Sequence, residues 1–470
     1  MARPLIGRTV RRLRQEQGLT QQALATRLGI SASYLNLIEH DQRAVTASLL
    51  FKLGDTLQVD LVALSGTHER QVEAGLREVL AEPLLGLDAV PEEEIRILSG
   101  SAPNAARAML ALHRAWRVAH EDSSGMTLPI GSRVLLPTEE ARDFFHERAN
   151  HFPALEQRAE AIGAELRAAP AEMNHAVAER LRRTHGVTVV VGPLDQSLRH
   201  YDPATKRLDL SESLPRESRG FQMAFQLMLL EARDDIESAI APHEPTTPEA
   251  AAFIRVGLVN YAAGALLMPY APFLAAARDV RYDVELLAAR FGVSFEQACH
   301  RLSTLQRDGA RGIPFFFLRA DPAGNVDKRF SAAGFPFARY GGSCPKWVVH
   351  SALATPGTLR VQVVDLPDGA AFVCFARTVL GQRAKWGDPT PIHVVAMGCD
   401  ISRADELVYA DGIELENAVV GIGLSCRLCD RVDCRSRAFP PLHHRLTLDP
   451  LEHRGTPYRF EIRKNAPAKP

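Results

Sequence analysis

The most constraining feature of the sequence is a series of short amphipathic helical patterns, separated by turns, in its first sixty residues. The patterns span residues 5–17, 21–28, 33–39 and 47–57. Gly18 and Gly29 end the first two, while Thr20 and Ser31 precede the second and third, where a side-chain oxygen caps the free N–H groups of a helix start. Short capped helices joined by tight turns predict an all-α helix-turn-helix domain over residues 1–66.

The distribution of charge predicts what this small domain binds. The whole chain carries 55 Lys and Arg against 56 Asp and Glu, a formal net charge of −1, so it is not a general polycation. Arginine nevertheless dominates the first 30 residues, in which Glu16 is the sole acidic residue. A basic head on a neutral chain is typical of a protein that binds nucleic acid through one local surface.

The run from Leu19 to Leu57 resembles the XRE/Cro type of helix-turn-helix, and this resemblance implies double-stranded DNA as the partner. In such heads the N-terminal residues of the recognition helix meet base edges in the major groove, and other polar side chains hold phosphates. One helix reads only a few base pairs, so we expect a homodimer or a higher even oligomer. Seven residues are predicted to contact DNA: Arg11, Gln21, Ser31, Ser33, Tyr34, Asn36 and Arg43.

Length and hydropathy patterning predict further domains after the head. A chain of 470 residues is long enough for three domains on a prior of about 150 residues each. The patterns of the second domain are strands at 187–191 and 208–211, a hairpin around 201–203, and helices at 218–231, 250–268 and 284–307. The predicted fold is therefore a multidomain α+β protein with four parts: the all-α head (1–66), a helical spacer or dimerisation region (67–170), an α+β domain (171–310) and a C-terminal β-rich sensor domain (311–470).

Hydropathy and cysteine content indicate the compartment. No stretch approaches the roughly 20 continuous apolar residues of a membrane span, and the N-terminus lacks the apolar core of a signal peptide. We therefore expect a cytoplasmic protein without a membrane partner. Seven cysteines, an odd number crowded toward the C-terminus, disfavour a secreted disulfide framework and favour metal or redox chemistry.

Residues 171–270 resemble the ImmA/IrrE metallopeptidase-like domain but lack the residues of its chemistry. Active members carry His-Glu-x-x-His on a long helix, where two imidazoles hold zinc beside a general-base glutamate. The corresponding stretch here reads Phe225-Gln226-Leu227-Met228-Leu229, and residues 256–259, where the resemblance expects an acidic ligand before Asn260, are Val, Gly, Leu and Val. We therefore predict no enzymatic activity, since water is not activated without a Lewis acid or a base. The apolar residues of this stretch are interpreted as helix core or as part of an acyl pocket.

A cysteine cluster near the C-terminus predicts a metal or iron–sulfur site. Cys426, Cys429 and Cys434 form a C-x2-C-x4-C pattern, and Cys399, at the end of a strand-like segment, is the predicted fourth ligand. Four thiolates suit either a structural Zn²⁺ or an iron–sulfur cluster, and the spacing does not decide between them. Buried inert cysteines and a thiol redox switch are the alternatives. Outside the cluster, an ordinary core role is predicted for Cys299 and Cys374.

The order of these parts, with the segments GGSCPKWVVH (341–350) and GLSCRLCDRVDCRSRAFPPL (423–442), resembles the XRE-family short-chain acyl-coenzyme A regulators. The resemblance implies a transcriptional regulator that senses propionyl-CoA or acetyl-CoA and controls short-chain carboxylic-acid metabolism. It also favours an iron–sulfur cluster, of the 4Fe–4S type, over Zn²⁺. Two competing hypotheses are an iron–sulfur, redox-sensing regulator without an acyl-CoA ligand and, with less support, a metallopeptidase that cleaves a repressor.

The C-terminal region contains residues suited to such a ligand. A CoA site must neutralise several phosphates, stack an adenine ring and enclose an apolar acyl end, and cations lie among aromatic residues here. A solvated charged face over an aromatic core is an equally good interpretation of the same residues. The predicted ligand-binding residues are Arg329, Arg339, Lys346, Trp347, Arg377 and Lys385.

Overall fold

The computed structural model describes residues 7–40, 42–43, 45–57, 67–80, 90–121, 137–168, 171–194, 197–337, 343–382, 386–441, 444, 446–447, 458 and 460. Across these ranges the buried apolar side chains gather into four clusters. The mixture of a helical head, further helices and two sheets confirms the multidomain α+β class predicted from the sequence.

Four helices form the head: α1 (Gly7–Glu16), α2 (Gln21–Leu28), α3 (Ala32–Glu39) and α4 (Ala47–Leu57). Leu24, Leu28, Leu35 and Leu53 are buried together between these helices and define the head core. Each helix is too short to be stable alone in water, so this shared core holds the head together. The four predicted helical patterns therefore correspond to four helices, with α3 beginning at Ala32.

Local capping fixes the turn between α2 and α3. The hydroxyls of Thr20 and Ser31 accept hydrogen bonds from the backbone N–H groups of Ala23 and Tyr34, each at 3.1 Å. Gly29 ends α2 with a φ of 71°, a left-handed conformation that glycine adopts without a steric penalty. The helix start and stop signals predicted from the sequence are therefore the ones that the backbone uses.

The predicted spacer is helical but divides into two parts. Helices α5 (Thr67–Leu80), α6 (Glu92–Ser101) and α7 (Pro103–Glu121) bury Leu76 and Leu110 in a small core of their own. Helices α8 (Pro137–Glu147) and α9 (Pro153–Ala168) instead bury side chains in the large core of the next domain, which we call the main core. The second half of the spacer thus belongs structurally to the α+β domain.

The remaining helices of the main core are α10 (Met173–His185), α11 (Arg216–Glu231), α12 (Arg233–Ile240), α13 (Pro248–Leu267), α14 (Tyr270–Asp279), α15 (Val284–Phe291) and α16 (Phe295–Leu302). Helix α13 lies at the centre and contacts α8, α9 and α11. It is long and apolar enough to cross a membrane by length and composition, and 61% of its most apolar window is buried inside the protein. Its apolar side chains therefore serve as the centre of a protein core.

One helix prediction was wrong. The stretch predicted as a single helix at 284–307 forms two helices, α15 and α16. Gly292, at φ 63°, ends α15, and Ser294 begins α16 with a capping box in which its hydroxyl and the Gln297 side chain satisfy each other's backbone N–H groups. A left-handed glycine followed by an N-cap stops one helix and starts another, whatever the apolar periodicity on either side.

A small sheet covers one side of the α+β domain. Its strands are β1 (Thr188–Gly192), β2 (Arg199–Asp202) and β3 (Arg207–Ser211), in the order β1-β3-β2. β1 is parallel to β3 and β2 is antiparallel to it, so the hairpin predicted around residues 201–203 is confirmed. Leu208 and Leu210 of β3 point into the main core.

A six-stranded sheet dominates the C-terminal region, in the order β5-β4-β8-β7-β6-β9. Its neighbouring strands are antiparallel except for the parallel pair β6 and β9, and a short helix, α17 (Val348–Leu353), packs on it. The strands are β4 (Phe316–Ala320), β5 (Val326–Ser331), β6 (Arg360–Asp365), β7 (Ala371–Leu380), β8 (Ile392–Asp400) and β9 (Val419–Gly421).

The two faces of this sheet pack into different cores. Phe317 and Phe375 point into the main core, whereas their neighbours Phe316 and Cys374 point to the opposite face. The second face, with α17 and Trp347, forms what we call the sheet core. Since successive residues of a strand point to opposite faces, the large sheet packs against the α+β domain with one face and forms the sheet core with the other.

Candidate functional sites

The head presents an exposed helix end beside basic side chains. Tyr34 is half-buried, and the Arg43 guanidinium lies 5.3 Å from the centroid of its ring. Ser31 serves as the N-cap of α3, so its hydroxyl stabilises the start of the predicted recognition helix. Five of the seven predicted DNA-contacting residues are exposed: Arg11, Ser31, Ser33, Asn36 and Arg43.

Behind the exposed end of α3 lies an ion pair that sequence reasoning missed. Glu39 is 2% exposed, and its carboxylate accepts hydrogen bonds from Arg14 Nε at 2.6 Å and Nη2 at 3.0 Å. The hydrogen bond to Glu39 raises the pKa of Arg14 above its ordinary value. The same carboxylate accepts a bond from Gln21 at 3.0 Å, so Gln21 is tied to the interior of the head. A charged residue on the buried face of an amphipathic helix was the available sequence signal.

The peptidase-like cleft is closed by the chain's own side chains. Phe225 and Gln226 occupy the places of the first imidazole and the general-base glutamate, and they are 7% and 0% exposed. Arg199 of β2 places its guanidinium 4.1 Å from the centroid of the Phe225 ring and donates a hydrogen bond to Gln226 Oε1 at 3.1 Å. Burial lowers the pKa of Arg199. The Arg199 guanidinium therefore lies beside two of the positions that bind zinc and activate water in active members of the ImmA/IrrE-like domain.

The side chains at the two imidazole positions, Phe225 and Leu229, have no atom that binds zinc. In the described parts of the chain, no three His, Cys, Asp or Glu side chains come close enough together to hold a metal ion. Met228 is fully buried in the main core, so the interpretation of this stretch as helix core is supported over a share in an acyl pocket.

The terminal cysteine loop is held by an arginine. Cys426 and Cys429 are buried, and Cys434 is half-exposed. Arg437 donates hydrogen bonds to the backbone carbonyls of Cys426 at 2.7 Å and Cys429 at 2.8 Å, while the N–H of Ala438 lies 3.4 Å from Cys426 Sγ as a donor. Burial raises the pKa of Cys429, and the nearby Cys344 thiol adds to this effect.

The structure does not bring Cys399 to this loop, which corrects the predicted fourth ligand. Cys399 lies on β8 and is buried in the main core, on the face of the sheet opposite the sheet core that contains Cys344 and Cys374. The prediction relied on Cys399 ending a strand, but the face on which a strand residue points depends on its register. Cys299 and Cys374 are fully buried in the cores, as their predicted core role requires, and burial raises the pKa of Cys374 to about 12.

The predicted ligand-binding residues also divide between the faces of the large sheet. Arg377 points to the main-core side, pairs with Glu285 at 2.6 Å and lies over the Phe295 ring, so it cannot join a site on the other face. Lys346 donates to the Gly421 carbonyl at 2.6 Å. Arg339 and Lys385 lie outside the described residues. Arg329 and Trp347 are brought together.

Arg329 and Trp347 line a pocket at the sheet core. The pocket is small and partly open to solvent. Phe335 stacks on Trp347 with ring centroids 5.1 Å apart and planes 14° apart. The Arg329 guanidinium is 3.3 Å from a Glu139 carboxylate oxygen. The lining residues are Leu318, Val326, Arg329, Phe335, Pro336, Phe337, Ser343, Trp347, Gly423 and Leu424. The wall of this pocket is therefore mainly apolar and aromatic, with one cationic group, Arg329.

Together these regions define a class of protein. A head that presents an exposed helix end, followed by a peptidase-like fold whose metal ligands are replaced by Phe225 and Leu229, is a helix-turn-helix transcriptional regulator rather than an enzyme.

Known proteins share this arrangement and show the family. Residues 10–64 match the helix-turn-helix family, residues 182–303 the IrrE N-terminal-like domain, and residues 304–458 the C-terminal domain of the short-chain fatty acyl coenzyme A regulators. The propionyl-CoA carboxylase regulator of Cereibacter sphaeroides is 39% identical over 97% of this chain and 98% of its own length. The HTH-type transcriptional regulators RamB and PrpR of Mycobacterium tuberculosis are each 39% identical over 97% of this chain, and 98% and 96% of their own lengths are covered.

A solved structure, described as a Mycobacterium tuberculosis transcriptional regulator, has a TM-score of 0.66 and 42% identity with this chain. It covers 69% of this chain and 100% of its own. The chain belongs to the family of XRE-type short-chain fatty acyl-CoA regulators, and it is not an enzyme.

Proposed function

We propose that the chain binds operator DNA as a dimer, in the cytoplasm, and that a short-chain acyl-CoA changes its DNA affinity. Residues 304–458 match a domain named for short-chain fatty acyl-CoA regulation, and a relative over the whole length is named a propionyl-CoA carboxylase regulator. The observation that carries the sensing half is the pocket beside Arg329 and Trp347, whose aromatic lining suits a short acyl chain. A propionyl or acetyl thioester is the proposed ligand, with its polar atoms toward Arg329.

The ligand must distinguish two states of the dimer to have any effect. A ligand that binds both states equally shifts neither, however tightly it binds. A coupling of about 1–3 kcal/mol, typical of allosteric proteins, corresponds to a change in DNA affinity of roughly 5-fold to 150-fold. Strand β4 would supply the route for such a coupling, because it carries Leu318 to the pocket and Phe317 to the main core.

Fluorescence anisotropy with an operator fragment, titrated in the presence of propionyl-CoA, acetyl-CoA or free CoA, tests the proposal. We expect at least about a fivefold change in DNA affinity with one acyl-CoA and less with free CoA. Val326→Phe, which adds bulk in the pocket, should abolish the response and leave DNA binding intact. Leu380→Phe adds similar bulk at a 61% exposed position of the same sheet and serves as the control. An affinity that no acyl-CoA alters would refute the sensing half.

We propose further that the terminal cysteine loop holds an iron–sulfur cluster, with Zn²⁺ as the alternative at the same thiolates. Cys426 and Cys429 would supply two buried sulfurs, and Cys426 Sγ receives an N–H donor, as metal-bound thiolates commonly do. Among the described residues no third Cys, His, Asp or Glu side chain lies close enough to complete the site, so the loop would have to close around the bound group. Cys344 replaces Cys399 as the preferred further ligand, because it is buried in the sheet core together with Ile422, which precedes the loop. A bound cluster would supply redox sensitivity, and the surrounding arginines would hold the loop.

Iron, sulfide and zinc analysis of the purified protein, with its absorbance spectrum under anaerobic conditions, tests this second proposal. Cys426→Ser should remove the metal, whereas Cys399→Ala should retain it because Cys399 lies on the other face of the sheet. A loss of metal in Cys399→Ala alone would restore the original four-cysteine prediction. DNA binding that responds to oxidation and to no acyl-CoA would favour the redox-sensing alternative.

A further inference from the structure

A chain of hydrogen bonds runs from the interior of the head to the exposed end of α3. Its innermost member is the Glu39 carboxylate, which receives both Nε and Nη2 of Arg14. A buried carboxylate in a bidentate pair with a guanidinium is ionised, so it can only accept hydrogen bonds. Every further group that bonds to Glu39 must therefore donate.

This requirement fixes the orientation of two amide side chains. Gln21 places its amide nitrogen, Nε2, 3.0 Å from Glu39 Oε2 and 3.1 Å from Asn36 Oδ1. Because an amide nitrogen only donates, both of its hydrogens are used, and Asn36 must present its oxygen to Gln21. The usual ambiguity between amide oxygen and nitrogen is thus removed by the charge on Glu39.

These hydrogen bonds leave one acceptor, on Gln21, and one donor, on the exposed Asn36, available to another molecule. Within the described residues, neither Gln21 Oε1 nor Asn36 Nδ2 has a hydrogen-bond partner, and the Asn36 side chain is exposed. The backbone of α3 is held at the same place by the Ser31 cap and by His40, whose Nδ1 lies 2.9 Å from the Asn36 carbonyl. The free protein therefore already holds the Asn36 amide nitrogen as a donor and the Gln21 amide oxygen as an acceptor.

We propose that Asn36 and Gln21 together read one adenine of the operator, and that Glu39 is the positioning residue that fixes their polarity. Adenine presents an acceptor, N7, and a donor, N6, in the major groove, which match the free Asn36 nitrogen and Gln21 oxygen. Guanine presents two acceptors there, thymine an acceptor and a methyl group, and cytosine a donor alone, so each leaves one amide group unmatched. The inference rests on the proposed binding of operator DNA and adds the base that this part of the head selects.

Selection of bound sequences from a random duplex library, followed by sequencing, tests the inference with the full-length protein. Wild type should show one position per half-site with an adenine preference of about tenfold, the ratio that about 1.4 kcal/mol supports. Asn36→Asp keeps the oxygen that faces Gln21 but replaces the outward donor with an acceptor, so it should lose the adenine preference at that position and keep the rest of the motif.

Two further variants separate reading from folding. Glu39→Gln removes the charge that fixes the amides and should reduce the same preference severalfold, and a thermal melt reports whether the head remains folded. Gln22→Ala, an exposed glutamine on the same helix outside this chain of bonds, should leave the motif unchanged. The inference is overturned if Asn36→Asp keeps the adenine preference or if wild type selects guanine at the position that Asn36→Asp alters. If wild type selects no motif at all, the proposed operator binding fails as well.

Discussion

The buried ion pair between Glu156 and Arg301 provides a direct test of how the α+β domain is held together. The pair joins α9 to α16, with side chains 0% and 1% exposed, and its two hydrogen bonds measure 2.6 and 2.9 Å. Arg301 also donates to the Met268 carbonyl at 2.8 Å, and the Tyr261 hydroxyl donates to Glu156 at 2.6 Å. Arg301→Met removes this cation and leaves the buried carboxylate with only the Arg307 guanidinium, 4.0 Å away, as a charge partner.

We expect Arg301→Met to lower the free energy of unfolding by about 3–5 kcal/mol, the usual cost of removing one partner of a buried pair. Arg158→Met is the matched control. Arg158 lies on the same helix as Glu156 and pairs with Asp235 at 2.8 Å, but its side chain is 49% exposed, so the loss should be at most about 1 kcal/mol. Urea denaturation followed by circular dichroism measures both values. A cost for Arg301→Met no larger than that for Arg158→Met would refute the reasoning.

The same pair gives a pH dependence with a definite sign. Burial raises the pKa of Glu156, but its ion pair and hydrogen bonds with Arg301 outweigh burial, and the net pKa lies below the ordinary 4.5. A carboxyl with a lowered folded-state pKa stabilises the protein above its unfolded pKa, and this stability is lost as the pH falls through the folded value. Acid should therefore narrow the difference in stability between wild type and Glu156→Gln at pH below about 4.5. A difference that grows with acid would contradict this assignment.

Three further outcomes follow from local geometry. Ser31→Ala should lower the unfolding free energy of the head by about 1 kcal/mol, measured by thermal melting, because α3 loses its N-cap. Gly398→Ala should prevent normal packing of the large sheet, since the new Cβ would lie 2.5 Å from the Phe316 ring and 2.7 Å from a backbone oxygen, and loss of soluble folded protein would report it. Phe225→His should not create a zinc site in the α+β domain, because a single imidazole beside the Arg199 guanidinium is too few ligands for the ion. Stoichiometric zinc binding to this variant in calorimetry would contradict that expectation.

The sequence predicted best those features that depend on near neighbours. Thr20, Ser31 and Gly29 act on backbone groups within a few residues of themselves, so the pattern alone located the caps and the turn. The replacement of the zinc ligands at residues 225–229 was equally readable, because the motif is local to one helix. The break at Gly292 had a local signal as well, but apolar periodicity on both sides of it masked the stop.

Features that depend on tertiary pairing were not readable in the same way. The bond between Arg14 and Glu39 joins residues 25 positions apart, and nothing in the spacing of either one indicates the other. Cys399 was placed by its position at the end of a predicted strand and Arg377 by its aromatic neighbours in the sequence, yet each lies on the main-core face of the large sheet. A shift of one residue in strand register would have reversed both assignments, and register is fixed by pairing between strands rather than by composition.

The large sheet would also connect the proposed ligand pocket to the main core. Residues on β4 alternate between the pocket side and the main core, as Leu318 and Phe317 show. The centroids of the Phe317 ring and of the His300 ring on α16 are 5.8 Å apart. The next residue of α16 is Arg301, which holds α9 through Glu156. Close-packed interiors transmit strain because few voids are available to absorb it. A ligand that displaced β4 by a fraction of an ångström would therefore move α16 or break contacts in the main core, and the ion pair would carry that motion to α9 within the α+β domain.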